Sequence, residues 1–248
     1  MNDHLFIVGL DMSRKKMSGE ARKIDITMAA RGAFALKGFY GTSMRDIAKA
    51  ADVSEALIYR HFPSKEALYN EIYFYIDSQL KAMGDYFRGQ EPSTQTLVRI
   101  VYALTSMIMK EMPGAGREQK IFERLLVYSL LENTSFAISV FQQYDVELFP
   151  VWLESFKVAE QAGDIYEPLV DPSAKMWLSH HLMMAINFLH LSGESLFPYS
   201  KPKEDLINGM VIFILRGIGL KDETIRHSLE HDYVNGIVEE IFGVKKVA

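Results

Sequence analysis

Residues 41–62 read GTSMRDIAKAADVSEALIYRHF, and the same signal occurs in them twice. A small hydroxyl residue, Thr42 or Ser43 and later Ser54, stands before a run of helix formers. There its oxygen can accept from the free amides of a first helical turn. Apolar residues follow at three and four spacing: Met44, Ile47, Ala48 and Ala51 in the first run, Ile58 and Phe62 in the second. Only Asp52-Val53 separates the runs, and Asp enters left-handed backbone more readily than most residues. Two short helices across so tight a turn have helix-turn-helix spacing.

Upstream, a helix is expected from Ser18 to Leu36, burying Ile24, Met28, Ala29 and Phe34 and stopping at Lys37-Gly38. The three helices make a small lobe. With Ile58 and Phe62 turned inward, Glu55, Ala56, Tyr59 and Arg60 lie on the opposite side of the third helix and can enter a major groove. Charge supports this placement. Residues 13–66 hold eleven Lys and Arg against six Asp and Glu, a net of +5 in a chain whose total is −5. A basic lobe on an acidic remainder points to a polyanion at one end only.

The longer stretch GFYGTSMRDIAKAADVSEALIYRHFPSKEALY, residues 38–69, resembles the DNA-binding region of the tetracycline-repressor (TetR) family of transcriptional regulators. The resemblance covers about residues 20–75. It implies a homodimer, double-stranded operator DNA as partner, repression released by a small-molecule effector, and an all-helical body that binds it. It puts Tyr59, His61 and Lys65 at phosphates, where the free amides following Pro63 add positive potential. Arg45 matches a family position that can reach a guanine edge. A phosphate contact or an ion pair with Asp46 or Asp52 is equally open to it. The candidate DNA-contacting set is Thr42, Ser43, Arg45, Ser54, Glu55, Ala56, Leu57, Tyr59, Arg60, His61 and Lys65. Two features depart from the family pattern. Asp52 stands where many members carry Gly, and Ala56 and Leu57 offer few hydrogen-bonding groups, so thymine methyls and DNA shape would carry much of the specificity.

Beyond the lobe the pattern stays helical, with about ten helices in all and an all-α fold. The expected division is a flexible segment 1–17, a helix-turn-helix domain 18–65 and an effector-binding and dimerisation domain 66–248. Breaks fall at Gly89 to Pro92, Pro113 to Gly116, Gly163 to Pro172, Ser192 to Pro202 and Gly219 to Asp222. Met176 to Gly193 contains no Asp, Glu, Lys or Arg and just reaches membrane-spanning length. His180, His181, His190, Asn187, Ser179 and Ser192 make it unsuitable for lipid, so a helix buried on two sides is expected. With no Cys, and with basic residues following rather than preceding the apolar run Leu5 to Leu10, the chain reads as cytoplasmic and not exported.

Two helices look apolar around most of their circumference, Ser173 to Leu191 and Glu204 to Leu215. By resemblance they form a four-helix dimer seam with the partner, through Trp177, His181, Leu182, Met183, Ile207, Met210, Val211 and Ile214. His180 and His181 are expected at that seam, satisfied by hydrogen bonds, with a ligand contact as the alternative. A further helix, Asp222 to Phe242, would act as a cover. The effector-pocket candidates, aromatic and Met residues at helical spacing, are Met107, Phe122, Tyr128, Phe141, Tyr144, Trp152, Phe156, Trp177 and Met184.

Enzymatic signatures are weak. His227-Ser228-Leu229-Glu230-His231 fits an H-x-x-E-H zinc pattern, but no well-separated third ligand follows. No phosphate-binding or nucleophile-elbow glycine motif occurs. No catalytic residue, metal or cofactor is therefore assigned. Two other readings stay open: a helical carrier or enzyme that keeps the lobe as an interaction module, and a DNA-binding protein without an effector.

Overall fold

The local signals of the first 70 residues are realised in the computed structural model, which describes residues 18–73, 78–109, 116–166, 169–189, 191, 203–230 and 236–242. Helix α1 (Gly19–Gly41) is capped by the Ser18 hydroxyl, which accepts from the Ala21 amide. Its regular turns end at Gly38, whose φ of 73° lies in the left-handed region. A Cβ there would stand 2.5 Å from Glu132 Oε1, so conformation and packing both select glycine. Helix α2 (Met44–Ala50) opens with a capping box, Ser43 and Asp46 each bonding the other's backbone amide. Asp52 makes the turn at φ 51°. Ser54 caps α3 (Glu55–His61) by accepting from the Leu57 amide.

The stripe of α1 that faces inward is Ile26, Ala30, Phe34 and Ala35, while Ile24 and Met28 are about two-fifths exposed. The sequence reading thus had the phase of this helix displaced. Its inner stripe must meet α2 on one side and α4 (Lys65–Tyr73) on another, and Ile26 rather than Ile24 does so. Phe34 and Phe39 pack edge-on against Tyr69 of α4 at ring separations of 5.0 and 5.1 Å. Tyr69 in turn reaches Phe136 at 6.2 Å. The core therefore runs without a break from lobe to body, and α4 contributes Leu68, Tyr69 and Ile72 to it. A boundary at residue 65 passes through packed side chains.

The body comprises α5 (Ser78–Arg88), α6 (Thr94–Met109), α7 (Gly116–Leu131), α8 (Ser135–Glu147), α9 (Phe149–Gln161), α10 (Pro172–Phe188), α11 (Lys203–Gly217), α12 (Asp222–Glu230) and α13 (Ile237–Phe242). Among the described residues there are thirteen helical segments, and the divisions between α4 and α5 and between α12 and α13 fall at residues outside the described ones. Pro150 sits in the first turn of α9, where it is tolerated. Gly236, at φ 83°, directly precedes α13. Segment 1–17 and residues His190 and His231 lie outside the described residues.

Helix α6 is the central element, buried along almost its whole length and packed against α9, α10 and α11. Each fully buried Leu, Ile, Phe or Met side chain there contributes about 1.5–3 kcal/mol. The loops after α9 and α11 are joined by a backbone bridge between Ile165 and Leu220. Asp164 in the first loop accepts from the Thr94 and Thr224 hydroxyls. Among the described residues no helix is long and apolar enough to cross a membrane.

Candidate functional site

Ile47 of α2 and Ile58 of α3 are fully buried and Phe62 nearly so, which fixes the roll of α3 about its axis. Glu55, Ala56, Tyr59 and Arg60 are all exposed as a result, with Leu57 and His61 half-buried at the edge. On α2 and its approach, Ser43, Arg45 and Lys49 are exposed too. The lobe thus offers one polar face carrying three exposed cations, Arg45, Lys49 and Arg60.

Other charged groups are already engaged. Lys37 donates to Asp46 at 2.8 Å. That bond and the Ser43 amide hold the Asp46 carboxyl well below the usual carboxylate range. With Asp46 committed to Lys37 and to the cap, the ion pair open to Arg45 in the sequence reading loses one of its two acceptors.

Two expected contacts are placed differently. Thr42 is buried, and its hydroxyl donates to the Gly38 and Ala33 carbonyls at 2.7 and 3.2 Å. Its side chain therefore locks the end of α1 and is not presented at the surface. Lys65 donates to the Phe39 and Thr42 carbonyls at 2.9 and 3.1 Å and lies 4.4 Å from the Phe39 ring centre. An ammonium has three donors, so one remains for an outside acceptor.

A single face of α7 grips α1. Arg31 of α1 pairs with Glu118 at 2.7 Å. Arg124 donates to the Ala35 carbonyl at 2.7 Å, and Tyr128 to that of Leu36 at 3.3 Å. Glu132, just beyond the helix, accepts from the Tyr40 amide at 3.1 Å. Arg124, Tyr128 and Glu132 recur every four residues, so they share a stripe. Tyr128, a pocket candidate by sequence, belongs to this junction instead. Behind it, Glu123 accepts from Asn187 of α10 at 2.7 Å. A second link joins α4 to α8, where Tyr73 donates to Gln143 at 2.7 Å.

The body contains an apolar cavity between α6, α8, α9 and α10. Its walls are Ile100, Val101, Leu104, Tyr144, Leu148, Trp152, Met176, Trp177, Ser179, His180 and Met183. The part of it that a water could enter is about 20 Å³ and holds about one molecule. Of the candidates, Tyr144, Trp152 and Trp177 line it. Phe156 stacks behind Trp152 at 5.2 Å, and Phe141 packs edge-on to Trp177 at 6.0 Å. Met107, Phe122 and Met184 do not line it. The sequence reading did not name the aliphatic wall from α6, and it held a ligand contact only as the second reading for His180, which lines the cavity. A charge-free run containing histidines was the available signal for the latter.

His180 corrects the sequence reading directly. It is 2% exposed and inside the protomer, and neither ring nitrogen has a hydrogen-bond partner among the described residues. His181, one residue on and about 100° around the helix, faces outward. Met183, Ile207, Met210, Val211 and Ile214 are likewise buried in the protomer's own core. They were assigned to a dimer seam because both α10 and α11 are apolar on opposite sides, and α6 takes the side that carries them. The outward side carries Leu178, His181, the half-buried Leu182 and Phe213.

Among the described residues no group of three His, Asp or Glu is placed to hold a metal. His227 lies on α12, while His231 is outside the described residues.

Residues 26–72 match the family described as "Bacterial regulatory proteins, tetR family". The nucleoid occlusion factor SlmA of Vibrio atlanticus (strain LGP32) is 32% identical over 71 residues, 29% of this chain. The match spans only 36% of that relative's length. A tetR-family regulatory protein from Rhodococcus RHA1 shares the fold with a TM-score of 0.59 at 21% identity, over 81% of this chain and 98% of that one. The structure of AibR in complex with isovaleryl coenzyme A and operator DNA gives a TM-score of 0.54 at 20% identity, over 77% and 97%. Residues 26–72 thus match the tetR family of bacterial regulatory proteins by sequence, and the chain as a whole shares its fold with solved structures described as members of that family.

Proposed function

We propose that this protein is a homodimeric, ligand-responsive transcriptional regulator, a repressor that leaves a palindromic operator when a small, largely apolar effector binds the body. The observation that carries the reading is the lobe's exposed face. A buried Ile47, Ile58 and Phe62 orient α3 so that Glu55, Ala56, Tyr59 and Arg60 are exposed, as are Arg45 and Lys49 of α2. Tyr59, His61 and the remaining Lys65 donor serve phosphates, and Arg45 serves a base edge. The fold neighbour AibR was solved with both isovaleryl coenzyme A and operator DNA, and the cavity here offers a place for an effector.

Selection of bound fragments from the source genome tests this reading. The expected result is one motif with two half-sites about 34–36 Å, or a multiple of that, apart. Fragments with no common motif would instead favour a helical carrier or enzyme that uses the lobe for another contact.

The route from cavity to lobe follows the bonds described above. His180 and Met183 in the cavity wall share α10 with Asn187, which bonds Glu123 of α7, and α7 holds α1. A ligand that shifts α10 thereby moves the base of the lobe, in addition to any tilt through α4. It acts as an inducer only if it binds the DNA-incompetent arrangement more tightly, and a coupling of about 1–3 kcal/mol changes operator affinity about 5–150-fold. Asn187→Leu cuts the link. The expected outcome is an effector response of less than about threefold, with effector affinity in the absence of DNA retained. An unchanged response would assign the coupling to α4 and α8.

A further inference from the structure

The chain has two tryptophans, and both Trp152 and Trp177 stand in the wall of one cavity. Between them the wall contains His180, packed against the Tyr144 ring at 4.3 Å and the Trp177 ring at 5.7 Å. Both imidazole nitrogens are buried without a partner among the described residues, an unfavourable state for a polar group unless something supplies the bond. Among the described residues the only other polar side chain in the wall that is not aromatic, Ser179, already donates to the Lys175 carbonyl.

Among the described residues the wall contains no Lys, Arg, Asp or Glu. A charged ligand group would therefore be desolvated with nothing opposite to balance it. Burial pushes the His180 pKa down to about 3, which leaves the ring neutral, with one donor and one acceptor nitrogen. A hydroxyl suits that ring best, since it bonds to either nitrogen whichever tautomer is present. The surrounding rings favour an aromatic body in offset or edge-on contact. Space must be made for it, and Met176 and Met183, the most adaptable side chains of the wall, can move to provide it.

We propose that this cavity takes an uncharged ligand of about one aromatic ring bearing a hydroxyl, which bonds to His180 while its ring lies among Tyr144, Trp152, Trp177 and Met183. The proposal rests on the reading of the chain as a ligand-responsive regulator and specifies the effector's chemistry. His180 is the residue that discriminates.

Because both tryptophans line the cavity, intrinsic fluorescence reports on it in the unmodified protein. Without DNA present, p-cresol is titrated against toluene, benzoate and benzylamine. The expected result is a saturable change in tryptophan emission, with p-cresol bound about tenfold more tightly than toluene and more tightly than either charged compound. In His180→Leu the preference for p-cresol over toluene is lost while toluene still binds, which shows that the cavity is intact. Equal affinity for p-cresol and toluene in the native protein, tighter binding of benzoate or benzylamine, an unaltered preference in His180→Leu, or no emission change up to the solubility limit would overturn the proposal. DNA binding is measured separately on selected genomic fragments. If p-cresol binds as expected but leaves that affinity unchanged, the cavity assignment stands and ligand-responsive regulation fails. If fragments bind and none of the compounds alters emission, the DNA-binding reading stands and the cavity assignment fails.

Discussion

Raising the salt concentration from about 50 to about 200 mM should lower operator affinity by about 10³-fold, on the following count. Each lobe exposes Lys49 and Arg60 and keeps one donor of Lys65 for a phosphate, with Arg45 at a base edge, while Lys37 is held by Asp46. A dimer therefore brings about six free cations to the phosphates. At a slope of about −0.9 per contact, the logarithm of the affinity falls by about 5 per tenfold rise in salt. Titrations at several salt concentrations check this, and a slope shallower than about −2 would remove the electrostatic basis for the interface. Arg60→Ala should reduce the slope by about 2 in the dimer and weaken all sequences alike. Arg45→Ala, if the guanidinium reads a base, should relax one position of each half-site by about 1–3 kcal/mol.

The second large effect concerns assembly. Leu178 and Phe213 are 64% and 65% exposed on the adjacent helices α10 and α11, an arrangement for large apolar side chains that a partner surface would explain. His181 stacks on the Trp177 ring at 5.6 Å, so this outward side adjoins the cavity wall. Leu178→Glu with Phe213→Glu should give monomers in light scattering. Because one lobe then binds without its tethered twin, operator affinity should fall by about 10²–10⁴-fold. Dimers that persist in the double variant would move the seam elsewhere. Ile214→Glu should behave differently. Ile214 is 2% exposed within the protomer, so the carboxylate would enter the core at a cost of several kcal/mol. The expected outcome is loss of the folded chain in thermal unfolding.

Much of the lobe could be read directly from the sequence. Ser18, Ser43 and Ser54 cap their helices, Gly38 stops α1, and Asp52 takes the left-handed turn. Each of these depends on groups within about four residues of one another, so the residue types alone carry the information. The burial of Ile47, Ile58 and Phe62 was equally legible, because their helices have one apolar face and a polar opposite. Thr42 and Lys65 were not. Their partners are the Ala33, Gly38 and Phe39 carbonyls together with the backbone of Thr42 itself, and nothing in residue type announces such a backbone acceptor.

The sequence by itself determined the helical class, the helix-turn-helix lobe and the residues on its outward face, since periodicity, caps and turn chemistry act over short distances. Tertiary structure decided the rest. On α10 and α11 both sides are apolar, so periodicity is satisfied by either orientation. Only packing against α6 turns His180, Met183, Ile207 and Ile214 inward and leaves His181 and Phe213 outside. The grip of Arg124, Tyr128 and Glu132 on α1 spans about ninety residues of chain. It exists only because the core that continues through Tyr69 and Phe136 holds lobe and body together.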